Sequence, residues 1–176
     1  GVKLGNYTFG IYAAYAAIFI LVFIFGSVIA SFLNVIIYRL PRGISFVRGR
    51  SMCPSCGKTL AAADMIPVAG FIALKGRCRY CKARISPRYM IVEAIGGALA
   101  VVTVLTYGFT PLSAAVFALM SGLMAVAFID MDTMEIPNGI VLYLLFPAAA
   151  LFVLLPDTSV LSHVAGFFIV SAPLFA

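Results

Sequence analysis

Eleven of the twelve Lys and Arg residues of this chain, and all four of its cysteines, fall between Arg39 and Arg88. The residues on either side are almost entirely apolar. With 64% hydrophobic and 10% charged residues over 176 positions, against roughly 25% charged in soluble domains, too few polar side chains remain to clothe a surface in water. Five apolar runs, at about 11–37, 88–106, 111–130, 139–155 and 159–176, are near the ~20 residues that cross a bilayer as a helix, and the fourth is the shortest. The expectation is an all-α polytopic membrane protein of about five transmembrane helices. A first segment, 1–38, precedes a basic loop at 39–87, and a transmembrane core occupies 88–176.

The first run has no basic stretch before it and no small-residue cleavage site, and it continues into Asn34-Val-Ile-Ile-Tyr-Arg39, so it is expected to be retained as a span. Tyr7, Tyr12, Tyr15, Tyr38 and Tyr89 lie near the expected interfaces. Basic residues gather on the cytoplasmic side of a membrane protein. The concentration between 39 and 88 therefore predicts an outside N-terminus and a cytoplasmic loop. Residues 130–138 are then cytoplasmic and 156–158 outside. The formal charge of +6 belongs to the loop and suits anionic lipid headgroups. It is read as a determinant of topology, and nucleic acid is not expected as a partner.

Punctuation along the chain agrees with these spans. Pro41-Arg42-Gly43 ends the first helix, and Ser86-Pro87 and Thr110-Pro111 open the second and third with a capping hydroxyl before proline. Pro137-Asn138-Gly139 and Pro156-Asp157-Thr158 separate the later ones. Gly26, Ser27, Ala30 and Ser31 form a small-residue stripe suited to close helix packing, and Gly96-Gly97 reads as a packing pair. No internal repeat is evident.

Cys53-x-x-Cys56 and Cys78-x-x-Cys81 have the layout of a zinc ribbon or knuckle. Each pair makes a tight turn presenting two thiolates, and Gly57 after the first pair provides the turn. Arg77, Arg79 and Lys82 favour the ionised sulfur. A disulfide framework conflicts with a reducing cytoplasm. Four protein ligands leave no open position, so the zinc is expected to be structural.

The chain has six carboxylates: Asp64, Glu93, Asp130, Asp132, Glu135 and Asp157. Three lie within Phe128-Ile-Asp130-Met-Asp132-Thr-Met-Glu135-Ile-Pro137-Asn138. Asp130 falls at the C-terminal end of an apolar helix on the membrane boundary, where the helix dipole and desolvation both oppose a negative charge. A carboxylate placed against those forces is a functional candidate. Asp132 and Glu135 are read as solvated charges or as partners of a loop arginine. Glu93 either faces the same site or neutralises Arg88. His163 is read as a packed or interfacial side chain. A carboxylate such as Asp130 could relay a proton, or share one with a second carboxylate to activate water, and composition does not choose between these.

Taken together, Gly26-Ser-Val-Ile-Ala-Ser-Phe-Leu-Asn34-Val-Ile-Ile-Tyr-Arg39-Leu-Pro41, Cys53-Pro-Ser-Cys56-Gly-Lys, Met65-Ile-Pro67, Gly76-Arg-Cys78-Arg-Tyr-Cys81-Lys, Ile85-Ser-Pro-Arg88-Tyr-Met-Ile-Val-Glu93 and Ile129-Asp130-Met-Asp132-Thr-Met-Glu-Ile-Pro137-Asn138 resemble the type IV prepilin peptidase family. The resemblance implies a membrane aspartyl endopeptidase of the bacterial inner membrane that removes the leader of type IV prepilins or of type II secretion pseudopilins. It implies Asp130, seven residues before Pro137, as the first catalytic carboxylate. It also implies a second activity, methylation of the new N-terminus with S-adenosylmethionine. Met90 departs from the proline usual in the family. The family's second catalytic Asp lies in a Gly-x-Gly-Asp motif, which these 176 residues lack, so the partner is expected beyond residue 176 and the core at 88–176 is expected to be incomplete. The competing reading is a membrane-anchored zinc-loop protein that binds or assembles without catalysis.

Overall fold

A computed structural model describes residues 2–155 and Leu161, with side chains from Thr8 onward. The expected fifth span, the 156–158 turn, Asp157, His163 and the Tyr7 side chain lie outside the described residues. The described chain has five α-helices and no strand. These are α1 (Val2–Arg39), α2 (Ala69–Ala73), α3 (Arg88–Tyr107), α4 (Pro111–Thr133) and α5 (Asn138–Leu154), with one 3-10 turn at Ala62–Met65. Three helices, over Thr8–Arg39, Arg88–Tyr107 and Pro111–Thr133, are long and apolar enough to cross a membrane, while Asn138–Leu154 is apolar but shorter.

The helix ends follow local chemistry. α1 closes in a Schellman-type motif: the Ile44 amide donates to the Arg39 carbonyl at 3.0 Å and the Gly43 amide to Leu40 at 3.2 Å. Gly43 takes φ +66°, a conformation open to a residue without Cβ. Thr110 caps α4, its hydroxyl accepting from the Ser113 amide at 3.3 Å with Pro111 following. At α3 the pattern shifts by one residue. Pro87 occupies the cap position, and the Ser86 hydroxyl accepts from the Arg88 amide at 3.4 Å.

α1 and α3 run antiparallel and form the main helix contact; α4 packs on both, and α5 packs on α4. The small-residue stripe explains why. A Cβ on Gly26 would stand 2.5 Å from the Gly96 carbonyl oxygen and 2.6 Å from the Ala100 Cβ. One on Gly96 would collide with the Ala30 Cβ, and one on Gly97 would sit 2.5 Å from the Ser27 hydroxyl. The two backbones therefore touch, which is how helices gain packing energy where lipid tails remove the hydrophobic incentive to associate. Below this contact Ala30, Ile37, Val92, Ala125, Ile129 and Ile140 form the buried core.

Candidate functional site

Two sites emerge at one end of the bundle, where α1 ends, α3 begins and α4 ends. The first is the cysteine cluster. Cys53 and Cys78 each open a knuckle of the same hydrogen-bond pattern. The Cys53 amide donates to Lys58 and the Gly57 amide to Cys53; the Cys78 amide donates to Ala83 and the Lys82 amide to Cys78. An isolated antiparallel bridge closes each, Met52 to Thr59 and Arg77 to Arg84. The knuckles are thus a structural repeat at an interval of 25 residues, which the dissimilar side chains of the two segments concealed. The residue after the second cysteine takes positive φ in both, +67° at Gly57 and +59° at Lys82. The sequence supplies glycine in one knuckle only.

The four Sγ atoms lie within 4.8 Å of one another, and Cys53 and Cys81 are 3.8 Å apart. No described cysteine is in a disulfide. A tetrahedron with Zn–S bonds of roughly 2.3 Å has sulfurs about 3.8 Å apart, so the cluster fits a thiolate-bound ion of that size. Its electrostatics agree. The amides of Ser55 and Cys56 hold the Cys53 thiol down at about 6, with smaller help from Cys78 and Cys56. At Cys81 the Ala83 amide acts in the same direction, but burial and the three neighbouring thiols raise it to about 11. Four sulfurs this close cannot all carry charge unaided, and a divalent cation among them removes that conflict. Next to the second knuckle, Arg79 donates to Asp64 at 2.7 Å. That hydrogen bond, with the guanidinium charge, holds the Asp64 carboxyl below its usual range.

Three contacts organise this end of the molecule, one between helices and two from the loop to the helices. The Asn34 amide donates to the Tyr89 carbonyl at 3.1 Å, joining α1 to the start of α3. Arg39 turns its guanidinium back onto the loop, donating to the carbonyls of Ser45 (3.0 Å), Arg48 (2.9 Å) and Arg50 (3.4 Å). Glu93 accepts from the Val68 amide at 2.8 Å. Neither reading of Glu93 from sequence holds, because Arg88 is engaged elsewhere and the Glu93 carboxylate is given to a loop amide. Val68 has φ +59° and ψ −52°, and the Ala69 amide donates to the Pro67 carbonyl. This is a γ-turn of the rare, strained hand, and the Glu93 carboxylate on α3 accepts from its half-buried central N–H.

The second site is the end of α4. Arg88 forms an ion pair with Asp132, donates to the Phe128 carbonyl at 2.9 Å and lies over the Phe128 ring. Asp132 is thus paired with an arginine, as its position suggested, but with the one that opens α3 rather than with one inside the loop. Successive helical residues rotate by about 100°, so Phe128 and Asp132 share one face and Asp130 lies nearly opposite. Asp130 sits in the last turn of α4, its carbonyl accepting from Met134 at 2.9 Å. Its side chain is exposed and has no ion-pair or hydrogen-bond partner among the described residues. Glu135 is exposed beyond the helix end. A cleft of about 320 Å³ opens beside Arg88, lined by Asn34, Tyr38, Arg42, Ser86 and Asp132 among others. Asp130 is not among its lining residues.

Comparison with known proteins bears on both sites. The family model described as Bacterial Peptidase A24 N-terminal domain matches residues 24–107, which contain all four cysteines. The chain is 38% identical over 157 residues to the prepilin leader peptidase/N-methyltransferase of Klebsiella pneumoniae, covering 82% of this chain and 68% of that protein. It is 41% identical over 118 residues to the protein of the same name from Myxococcus xanthus (strain DK1622), covering 67% of this chain and 35% of the relative. With that of Burkholderia pseudomallei (strain 1026b) it shares 35% over 148 residues, 70% of this chain and 48% of the relative. The chain thus spans between a third and a half of these last two relatives. No solved structure matches it.

Proposed function

The chain belongs to the bacterial prepilin leader peptidase/N-methyltransferase family, and from that premise we propose that it carries part of an inner-membrane aspartyl endopeptidase. Its substrate is a type IV prepilin or type II pseudopilin, whose basic leader stays in the cytoplasm while the apolar segment lies in the bilayer. The scissile bond then falls at the inner interface, level with the end of α4. The concentration of basic residues between Arg39 and Arg88 supports a cytoplasmic loop and an outside N-terminus. The reading divides the chain into a first membrane segment (1–38), the loop (39–87) and the peptidase core (88–176).

One observation carries the catalytic assignment. Of the two aspartates in the last turn of α4, Asp132 is neutralised by Arg88, whereas Asp130 is exposed and unpaired on the opposite face. We assign Asp130 as one member of a carboxyl pair and place the other outside these 176 residues, which hold no Gly-x-Gly-Asp motif. Two carboxyl groups at close range share one proton because both cannot ionise. The ionised one takes a proton from water as the oxygen adds to the peptide carbonyl. The protonated one gives its proton to the carbonyl oxygen. Collapse of the intermediate breaks the C–N bond, and the leaving amine takes a proton. An unpaired Asp130 is free to join such a pair; an arginine-bound Asp132 is not.

Cys53, Cys56, Cys78 and Cys81 would hold the zinc, which would supply a fold for the loop rather than a reactive water, since four thiolates close its coordination. The N-methyltransferase part of the relatives' name supports a second step, in which S-adenosylmethionine supplies a methyl group to the new N-terminal amine. No described side chain is assigned to that donor.

The test is leader removal from prepilin by the protein expressed from its complete gene, at equal membrane abundance. Asp130→Asn keeps the shape and removes the ionisable group, so cleavage should fall by about 10²–10⁴-fold. Asp132→Asn and Glu135→Gln should keep most activity, with zinc content unchanged in all three. Full cleavage by Asp130→Asn would defeat the assignment, moving it to Asp132 if Asp132→Asn is the inactive one; absence of cleavage by the unaltered protein would favour a zinc-loop protein that binds without catalysis.

A further inference from the structure

The segment that follows α1 is not placed as a loop in water should be. Ile44, Phe46 and Val47 are 47%, 38% and 79% exposed. They stand between Arg42 on one side and Arg48 and Arg50 on the other. Three large apolar side chains in one exposed turn need a partner. The geometry also says where the turn points. The Schellman closure at Gly43 reverses the chain, and the Arg39 guanidinium gathers the carbonyls of Ser45, Arg48 and Arg50. As a result the Phe46 ring rests edge-on against Phe32, with centroids 6.5 Å apart. Phe32 lies within the Thr8–Arg39 candidate span, seven residues before Arg39, or roughly 10 Å further into it by the helical rise. Phe32 is itself half exposed, on an outer surface of α1 that also carries Leu21, Phe25 and Val28. The turn therefore folds back along the span and extends its lipid-facing surface.

We propose that residues 44–50 form an interfacial anchor on an anionic phospholipid surface. Ile44, Phe46 and Val47 enter the boundary between headgroups and acyl chains, while Arg48 and Arg50 meet the lipid phosphates; Arg42 is held by the Tyr38 carbonyl and ring. Apolar side chains flanked by arginines are the combination that binds such a surface, and the anchor is continuous with an apolar helix face that needs lipid in any case. Its consequence is mechanical. The zinc knuckle begins at Met52, two residues beyond Arg50, so anchoring this turn holds the cysteine cluster against the bilayer at the end of the bundle where Asp130 emerges. The inference needs only the membrane span and holds whether or not Asp130 is catalytic.

These 176 residues contain no tryptophan, so in the protein expressed from its complete gene Val47→Trp adds a reporter read as the difference from the unaltered protein, with Ile44→Trp as a second in case the first disturbs the turn. Each is reconstituted in vesicles of phosphatidylcholine with phosphatidylglycerol. The expected result is blue-shifted emission, quenching by phosphatidylcholine brominated near the headgroup end of its acyl chains, and protection from aqueous iodide. Arg48→Gln/Arg50→Gln, or vesicles of phosphatidylcholine alone, should weaken the bromolipid quenching. Iodide quenching of both reporters would put the turn in water and overturn the proposal. Shielding from both quenchers would show that protein covers it, which overturns the proposal equally. Bromolipid quenching unchanged by headgroup charge would overturn the assignment of an anionic lipid.

Discussion

Where α1 meets α3, the contact is glycine on glycine and alanine, close enough that a single added Cβ would collide with backbone. In the loop around the cysteines such an approach recurs only at Gly70, where an added Cβ would meet the Asp64 carbonyl oxygen at 2.6 Å. Among residues 40–87 the only buried ones are Cys53, Gly70 and Cys78, so the loop has almost no apolar core and its interior is a set of sulfurs. The two regions face different solvents, and each is held by what its solvent does not already provide. In the bilayer, leucine gains nothing by leaving lipid for protein, so close packing of small residues binds the helices. In water a loop of this size cannot bury enough apolar area to offset its chain entropy, so a cluster of four thiols able to take a metal and arginine-to-carbonyl hydrogen bonds stand in place of a core.

If that contrast is right, the two regions should fail independently. The largest effect should come from Cys78→Ser. Structural zinc sites contribute on the order of 10 kcal/mol of apparent folding free energy, so loss of one ligand should release the metal and open the loop. Limited trypsin digestion should then cut between Arg42 and Arg88, while helical circular dichroism of the spans in lipid stays near its original level. Collapse of the helices along with the loop would break the comparison.

Gly26→Leu should do the reverse, at a smaller scale. It drives a side chain into the Gly96 carbonyl and Ala100, and overpacking of this kind costs typically 1–3 kcal/mol. A crosslink engineered between α1 and α3 should form less readily and the thermal midpoint in detergent should drop, with zinc content unchanged. The finest test is Lys82→Gly. Lys82 holds the positive-φ position that Gly57 fills in the other knuckle, and its amine donates to the Arg79 carbonyl at 3.1 Å. Relief of that conformation, offset by the greater freedom of glycine in the unfolded chain and the loss of one exposed hydrogen bond, should leave a gain of about 0.5 kcal/mol. It should be read as slower metal transfer to a competing chelator. An unchanged rate would mean that Lys82 sits in its knuckle without strain.

Three of the five expected spans were legible because hydrophobicity and length are local quantities. So were the small-residue stripe and the paired cysteines, whose chemistry is carried by residue type and short spacing. Thr110-Pro111 and Pro41-Arg42-Gly43 marked helix ends for the same reason. Other features were not legible. Glu93 was read against Arg88 and the membrane site, yet it holds the amide of Val68, 25 positions away. Arg39 appeared as a topological charge and proved to be the residue that shapes the turn at 44–50. The kinship of the two knuckles lay in their backbone angles, hidden by dissimilar side chains.

By itself the sequence determined which residues are apolar enough for lipid and which four side chains can take a metal. Each follows from the transfer energy or donor chemistry of the residue itself. Only the tertiary structure decided the partners: Arg88 for Asp132 rather than for Glu93, three loop carbonyls for Arg39, and none among the described residues for Asp130. Every peptide unit offers the same donor and acceptor whatever its side chain. Which of them a distant arginine or glutamate reaches is fixed by how the helices dock.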